Sequence, residues 1–334
     1  MQERIRPTRE DVAKEAGVTK TIVSYVVNNN RYVDNKKRER VQAAIKKLGY
    51  RPNSIARALK GKTTNHILFV VDDIQSEHFS SIIKEIDSLV YKKGYFFTLC
   101  QDRVEDDFIT RLTECIFDGI IIASKNFSKD SIQLLINMRI PIVFFEMQDY
   151  GELKGSYAKI NTGLYDGAQN SVRILQEKGR KNIFYMGSTK EEGFRYKGFE
   201  SQILASGLPL NKTIIIKEDI VGVSKTEDLK NTLTTIMKQD NPPDAFICRT
   251  DSEAFMAMKI LQENGYKIPQ DVSIIGFNNS SWCSNSNPTL SSVSIDRKEA
   301  ARYVIEFLDT LIHSNDDKNY TVTLKTELIE RDSI

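Results

Sequence analysis

The chain has 334 residues, of which 40% are hydrophobic and 28% are charged, a composition typical of a globular protein with two or three domains. No apolar run approaches the ~18 residues of a membrane span, and the charged N-terminus lacks the apolar centre of a secretory signal. The four cysteines are scattered without a CxxC pair, which disfavours a disulfide framework or a zinc site. We therefore expect a cytoplasmic protein with free thiols, no membrane contact, and no metal or other cofactor.

Charge is divided unevenly along the chain, although the net charge is only +2. Residues 1–62 contain 16 Lys and Arg against 6 Asp and Glu, which gives this segment a net charge of +10. The remaining residues contain 31 basic against 39 acidic side chains, a net charge of −8. A basic segment attached to an acidic body indicates a polyanionic partner such as nucleic acid.

The N-terminal segment predicts two short helices joined by a tight turn. Thr8 and the acidic residues that follow it resemble a capping box before an apolar run, so a helix is expected to begin there. Gly17 ends this helix, and Thr19 can cap a second helix that starts at Lys20. A glycine-containing turn between two short helices predicts a helix-turn-helix. A third helix is expected over residues 36–49, capped by Asp34 or Asn35.

The second helix has one polar and one apolar face. Its apolar residues are Ile22, Val23, Val26 and Val27, and its polar or amphipathic residues are Lys20, Thr21, Ser24, Tyr25 and Asn28. We expect the apolar face to pack on the neighbouring helices, which leaves the polar face free for the major groove of DNA. A merely solvated face is the alternative, but the short turn and the local positive charge favour DNA binding.

Residues 51–62, RPNSIARALKGK, predict a short basic helix and linker between two domains. This helix is too short to persist in water without support, so we expect it to form against a partner. Leu59 is either a wedge for the minor groove or a cap on the following domain. The predicted domains are a helix-turn-helix domain (1–50), this hinge (51–62) and a body (63–334).

The body alternates apolar strand-like runs with amphipathic helical ones. The runs of the first series lie at 66–71, 95–100, 118–124, 141–146 and 157–160, and those of the second at 182–188, 213–217, 244–249 and 272–277. Such a pattern predicts two lobes, each a doubly wound parallel α/β sheet. The first lobe is expected to contain about 63–161 and 291–320, and the second about 162–290 and 321–334.

Ligands of open parallel sheets bind beyond the carboxyl ends of the strands. The polar residues at those ends are Asp72, Asp73, Ser124, Glu146, Ser188, Thr250, Asp251, Asn278 and Asn279. Enzyme function is disfavoured, because the chain has no GxGxxG, GxSxG or HExxH motif and only three histidines. A secreted binding protein is disfavoured by the basic N-terminal segment and the absent signal.

The N-terminal motifs TREDVAKEAGVTKTIVSYVVNN and LGYRPNSIARALK resemble those of the lactose-repressor/galactose-repressor (LacI/GalR) family of bacterial transcription regulators. The resemblance implies that bases are contacted by Lys20, Thr21, Ser24 and Tyr25, that phosphates are contacted by Thr8, Thr19, Asn28 and Tyr32, and that the operator centre is contacted by Ala58, Leu59 and Lys60. Tyr25 stands where many members have arginine, so the operator bases do not follow by analogy. Ile22 also departs from the common threonine and is interpreted as a core residue.

The body resembles the same family through DGIIIAS, GFRYKGFE, VSIIGFN and NPTLSSVSID. This resemblance implies a periplasmic-binding-protein-like fold with a small-molecule effector between the lobes. Together with the strand-end rule it gives these effector-binding candidates: His78, Phe79, Ser124, Glu146, Arg195, Thr250, Asp251 and Asn278. Three of them have structural alternatives: Arg195 as a surface ion pair, His78 as a helix cap, and Asp251 as an N-cap.

The resemblance further implies a homodimeric repressor that binds a near-palindromic operator on double-stranded DNA in the nucleoid and responds to an effector. The effector is expected to be carbohydrate-related. The alternatives are a non-sugar metabolite and a protein co-regulator. Asn278 replaces the aspartate of many sugar-binding members, so a monosaccharide bound in the usual way does not follow.

Overall fold

The computed structural model describes residues 7–51, 63–103, 108–146, 150–187, 193–210, 214–215, 225–314 and 318–334. The chain divides into two compact units, residues 1–64 and residues 65–334. Most of the predicted hinge, residues 52–62, lies outside the described residues. Among the residues that are described, no helix is long and apolar enough to cross a membrane.

In its described residues, 7–51 and 63–64, the first unit contains three helices, α1 (Arg9–Ala16), α2 (Lys20–Asn28) and α3 (Asn35–Leu48), and these confirm the predicted helix-turn-helix. The start of α1 is a capping box, in which the Thr8 side chain accepts from the Asp11 amide and the Asp11 carboxylate accepts from the Thr8 amide. Gly17 follows α1 with φ +61°, a left-handed conformation that glycine adopts without a Cβ penalty. These local signals fix the angle at which α2 leaves the turn.

The core of this unit is small and built from valine and alanine. Val12, Val23 and Val41, one from each helix, are fully buried. Ile22 packs partly against this core, as its position on the helix predicted. Asp34, rather than Asn35, caps α3, because its carboxylate accepts from the Lys37 amide at 3.3 Å.

The described residues of the second unit form two six-stranded sheets. The strands, in chain order, are β1 (His66–Val71), β2 (Phe96–Gln101), β3 (Gly119–Ala123), β4 (Ile142–Phe145), β5 (Ala158–Asn161), β6 (Ile183–Gly187), β7 (Ile214–Ile215), β8 (Ala245–Cys248), β9 (Ser273–Phe277), β10 (Ser291–Ile295), β11 (Tyr320–Thr323) and β12 (Thr326–Ile329). The helices between them are α4 (Glu77–Lys92), α5 (Phe108–Glu114), α6 (Lys129–Asn137), α7 (Leu164–Glu177), α8 (Phe194–Ala205), α9 (Lys225–Ile236), α10 (Asp251–Glu263) and α11 (Arg297–His313). A short 3₁₀ helix, Ser281–Ser284, follows β9.

Each sheet forms the centre of one lobe. The first sheet has the order β11-β5-β4-β3-β1-β2 and the second has the order β12-β10-β9-β8-β6-β7. The strand pairs are parallel, except that β10 and β12 are antiparallel. Apolar clusters cover both faces of each sheet. The predicted two-lobed α/β body is therefore confirmed, and its strand ends lie where the sequence placed them to within a few residues.

Two lobe assignments were wrong. Residues 321–323 were expected in the second lobe, but they belong to β11, which pairs with β5 in the first sheet, and Leu324 behind them packs in the first-lobe apolar cluster. Residues 291–295 were expected in the first lobe, but β10 pairs with β9 and β12 in the second sheet. The reason is packing: Val293 belongs to the apolar cluster of the second lobe, and the Ser292 hydroxyl donates to the buried Asp251 carboxylate at 2.5 Å. The chain crosses to the first lobe one residue later, and α11 then packs there.

Helices α7 and α8 approach each other closely at Gly198. A Cβ on this residue would lie 2.2 Å from the Tyr165 carbonyl oxygen, a backbone atom that moves only with its helix. We therefore expect Gly198→Ala to lower the free energy of unfolding by about 1–3 kcal/mol, as overpacking does elsewhere. Denaturant unfolding measures this change. Lys197→Ala, at the exposed neighbouring position, is the control, and equal stability of the two variants would contradict this close packing.

Candidate DNA-binding surface and effector cleft

We call the first unit, residues 1–64, the head. The polar face of α2 points away from the apolar core of the head. Lys20 and Thr21 are exposed, while Ser24 and Asn28 are half-buried and joined by a hydrogen bond from Asn28 Nδ2 to Ser24 Oγ at 3.2 Å. Lys20 also lies 3.4 Å from the Glu10 carboxylate, a surface ion pair that contributes little to stability. These side chains together present both donors and acceptors, as a base-reading surface requires.

Tyr25 packs partly against the head core and keeps its hydroxyl at the surface. The guanidinium of Arg31 lies 5.3 Å from the centre of its ring, and Arg31 Nη1 is 3.4 Å from its hydroxyl oxygen. Arg31 was missed by the sequence analysis, because it lies beyond the end of the helix. The structure thus places a guanidinium beside the position where the family often has arginine.

The predicted phosphate contacts lie at helix ends and in the following loop. Thr8 and Thr19 cap α1 and α2, where their side chains accept from backbone amides. Tyr32 is 89% exposed. Ala58, Leu59 and Lys60 lie outside the described residues, so their role at the operator centre stays a prediction.

In the body, the first-lobe wall of the predicted cleft contains a buried histidine–carboxylate pair. His78 Nε2 lies 2.9 Å from Glu146 Oε1. Glu146 follows β4 with φ +55°, a left-handed conformation rare for a side-chain-bearing residue, which turns it toward α4. Burial favours the neutral acid, but the charges of His78, Arg195 and Lys125 prevail and hold the pKa of Glu146 well below its ordinary value.

Two other first-lobe candidates have structural partners. The Ser124 hydroxyl donates to the buried Asp102 carboxylate and accepts from the Asn126 amide. Phe79 belongs mostly to the first-lobe core, with its ring centre 5.2 Å from that of His78. Both residues are buried at the expected edge, but their hydrogen bonds and packing are largely internal.

The second-lobe wall is organised around Arg195 at the start of α8. Its Nη2 donates to Asn278 Oδ1 at 3.3 Å, and its guanidinium lies over the Phe277 ring at 5.3 Å. Arg195 is buried, and among the described residues no carboxylate forms an ion pair with it. The structure therefore does not show Arg195 in a surface ion pair, which was the alternative considered above.

Asp251 has a different role from the N-cap considered above. Thr250 is the N-cap of α10, since its hydroxyl accepts from the Glu253 amide at 3.3 Å. The Asp251 carboxylate instead accepts from the Ser280 amide at 2.7 Å and from the Ser292 hydroxyl. Burial raises the pKa of Asp251, and these hydrogen bonds oppose that rise. The side chain holds the loop after β9, which carries Asn278.

Two charged residues of the first lobe add to the site. Asp72 follows β1, and Lys125 follows Ser124 after β3. Burial lowers the pKa of Lys125, with further lowering by Arg195 and an opposing effect from Glu146 and Asp72. Burial likewise raises the pKa of Asp72, and the charge of Lys125 opposes this rise. Side chains of the two lobes therefore lie within electrostatic reach of each other across the cleft.

Three further residues lie at the second-lobe edge and were missed by the sequence analysis. Arg249 follows β8 and donates to the buried Glu253 carboxylate through Nε at 3.1 Å and Nη2 at 2.9 Å. Tyr185 lies on β6, and burial raises the pKa of its hydroxyl, with Arg195 opposing. The strand-end rule applied one residue earlier would have found Arg249, but Tyr185 sits inside an apolar strand and carries no such signal.

The lobes are joined directly beside this cleft. The Ser281 amide of the second lobe donates to Glu77 Oε1 at the start of α4, at 2.6 Å. Arg297, the first residue of α11, donates to the carbonyl oxygens of Asn278 and Asn279 at 2.6 and 2.7 Å. A movement of one lobe against the other must change these bonds.

Within the described part of the chain, three buried polar atoms at the cleft have no hydrogen-bond partner: His78 Nδ1, Arg195 Nε and Glu253 Oε2. An unpartnered buried polar group costs free energy that a ligand can recover. Arg195 Nε is a donor and Glu253 Oε2 is an acceptor, so the matching ligand both accepts and donates hydrogen bonds. No group of His, Cys, Asp or Glu in the described part of the chain could hold a metal ion.

Comparison with known proteins identifies both units. Residues 8–53 match the model of bacterial regulatory proteins of the lacI family, and residues 172–334 match a periplasmic binding protein-like domain. The repressor PurR of Histophilus somni (strain 129Pt) is 28% identical over 335 residues, which cover 98% of each chain. A chain with this order of a DNA-binding head and a ligand-binding body is a transcription regulator rather than an enzyme.

Solved structures share the whole fold. The lac repressor dimer bound to operator and the anti-inducer ONPF has a TM-score of 0.81 at 21% identity, with 98% of each chain covered. The complex of the regulator CelR with cellobiose has a TM-score of 0.67 at 24% identity and covers 98% of this chain and 100% of the other. In its N-terminal sequence and in its whole fold, the chain therefore matches the LacI family of bacterial transcription regulators.

Proposed function

We propose that this chain is a homodimeric repressor whose affinity for a near-palindromic operator is controlled by a small polyhydroxylated effector bound between the lobes. The observation that carries the effector half is the buried Arg195, which has no carboxylate partner among the described residues and an unpartnered Nε. A buried guanidinium left in this state is costly unless a ligand completes its hydrogen bonds.

Sugar hydroxyls suit the cleft because each one can both donate and accept a hydrogen bond. Arg195 offers a donor, Glu253 offers an acceptor, and neither is used by the protein at these atoms. The cellobiose complex of a protein with the same fold supports this ligand class. Cations and carboxylates occur on both walls, which favours a neutral ligand over a strongly charged one.

A thermal-shift screen of the full chain tests the effector class. Neutral sugars should raise the melting temperature, since a ligand that binds the folded state stabilises it by mass action. Sugar phosphates, nucleosides and purines form the other arms of the screen. A shift with these alone would replace the sugar by another metabolite, and no shift with any of them would favour a protein co-regulator.

A second copy of the chain is the partner that the first lobe is proposed to bind. Strand β2 is an edge strand, and its Phe96 and Leu99 are exposed. Tyr91 at the end of α4 and Ile116 after α5 are exposed as well, at 74% and 59%. Apolar side chains on a strand at the edge of a sheet are the kind of surface that association covers. A dimer would also present two heads to two half-sites.

Residues 51–62 are proposed to couple effector and operator. A helix as short as the one that their sequence predicts needs a partner to form, so a change in lobe geometry can decide whether paired helices order on DNA. Such coupling between two ligands is typically worth about 1–3 kcal/mol.

Leu59→Ala tests this hinge role. We expect operator affinity to fall at least about tenfold, because the apolar wedge that the helix offers to the minor groove is lost. Fluorescence anisotropy with an operator duplex measures the affinity with and without effector. Unchanged affinity together with an unchanged effector response would contradict the proposed role.

A further inference from the structure

We propose that Glu253, held in place by Arg249, determines effector specificity by accepting a hydrogen bond from one particular hydroxyl of the ligand. This inference rests on the proposed sugar-binding cleft and adds to it a residue outside the set implied by the family resemblance.

The hydrogen bonds of the pair leave one carboxylate oxygen of Glu253 unused. Both bonds from Arg249, through Nε and Nη2, go to Oε1. The other oxygen, Oε2, is buried and has no partner among the residues that the structure describes, and Glu253 is 3% exposed. A carboxylate oxygen is a strong hydrogen-bond acceptor, so a ligand that donates a hydrogen bond to Oε2 would stabilise it. An ion pair at the surface would leave both carboxylate oxygens open to water, whereas this pair leaves Oε2 buried.

The local backbone brings this pair to the edge of the sheet where ligands bind. The Arg249 amide donates to the Met186 carbonyl at 2.8 Å, so the ends of β6 and β8 lie side by side. A Cβ on Gly187 would lie 3.2 Å from Cβ of Arg249 and 2.9 Å from Cε1 of Tyr185. Glycine at this position thus leaves room for both side chains beside the strand ends.

The surrounding charges favour a hydroxyl over an ammonium group as the donor. Arg249 already neutralises Glu253. The charges of both Arg195 and Arg249 act on Lys125, so the three cations lie within electrostatic reach of one another. A further cation placed there would be repelled. A neutral hydroxyl donates to Glu253 without this cost, and its oxygen can accept from a nearby cation.

The test uses the full chain and calorimetric titration with D-glucose, D-galactose and D-ribose, each beside its set of monodeoxy analogues. Wild type should bind one parent sugar and reject one of its analogues by about 100-fold, as expected when a charged acceptor is left unpaired. Glu253→Gln should reduce the affinity ratio between the parent sugar and this analogue at least tenfold. The affinity ratios between the parent sugar and its other analogues should stay unchanged. Glu263→Gln, at an exposed position of the same helix, is the matched control and should behave as wild type.

The remaining outcomes separate the two proposals. Wild-type affinity and discrimination in Glu253→Gln would overturn this inference, as would an equal loss for every analogue, which indicates a structural role. Binding of none of the three sugars by wild type would overturn the sugar-binding cleft and the inference with it. Should Glu253→Gln fail to fold, the double variant Arg249→Met, Glu253→Met removes both charges together and is expected to show the same selective loss.

Discussion

Arg195→Ala is expected to abolish the response to effector while operator binding in the absence of effector is retained. The guanidinium is buried, donates to Asn278, and has an Nε without a partner. Truncation removes the donors that the ligand would meet and leaves its acceptors unpaired in a desolvated site. Losses of this kind are typically about 2–5 kcal/mol, which corresponds to at least about a 30-fold loss of affinity.

The measurement is operator affinity by fluorescence anisotropy across an effector titration, using the ligand that the thermal-shift screen identifies. Lys197→Ala, on the exposed side of the same helix, should titrate like wild type. A normal effector response in Arg195→Ala would contradict the cleft assignment. Loss of operator binding as well would indicate misfolding, and Arg195→Met, which keeps most of the packing against Phe277, then repeats the test.

Much of the fold was predictable because its signals are local. The Thr8 cap, the Gly17 turn and the Thr19 cap each depend on a few neighbouring residues, and together they define the helix-turn-helix. The strand-like runs of the body were equally legible, since parallel strands covered on both faces are apolar along their whole length. The alternation of these strands with helices then predicted the α/β type of each lobe.

The lobe to which β10 belongs could not be predicted in this way. Its sequence is that of a strand, but its place depends on Val293 packing in the second-lobe cluster and on Ser292 bonding to Asp251. Those partners are distant in the chain, and periodicity carries no information about them. The point at which the chain crosses between the lobes is therefore determined by tertiary contacts, which the sequence pattern does not show.

The candidate site was predictable where it depends on topology. The rule that ligands bind at strand ends selected Glu146 and Asn278, and the structure places both near Arg195, the first within electrostatic reach and the second at hydrogen-bond distance. It also selected Asp251, whose carboxylate holds the loop after β9. Glu253 was missed because an acidic residue in the first turn of a helix ordinarily signals a solvated end, and its burial depends on Arg249.

Operator affinity is expected to fall by about a thousandfold or more between about 50 and 200 mM salt, the loss typical of proteins that contact at least about six phosphates. The basis is the concentration of positive charge in the head, where residues 1–62 carry a net charge of +10 against −8 in the rest of the chain. Two heads on one operator would supply these contacts, each releasing counterions from the DNA.

Single-charge variants locate the origin of this salt dependence. Lys37→Ala removes an exposed charge at the start of α3. In the proposed dimer this change occurs twice, so it should reduce the slope of log affinity against log salt by about two if Lys37 contacts phosphate. Lys84→Ala removes the same charge from an exposed position on α4 in the body and should leave the slope unchanged. Equal slopes for wild type and a set of such head variants would contradict the head as the source of phosphate contacts, because a charge that meets no phosphate releases no counterion.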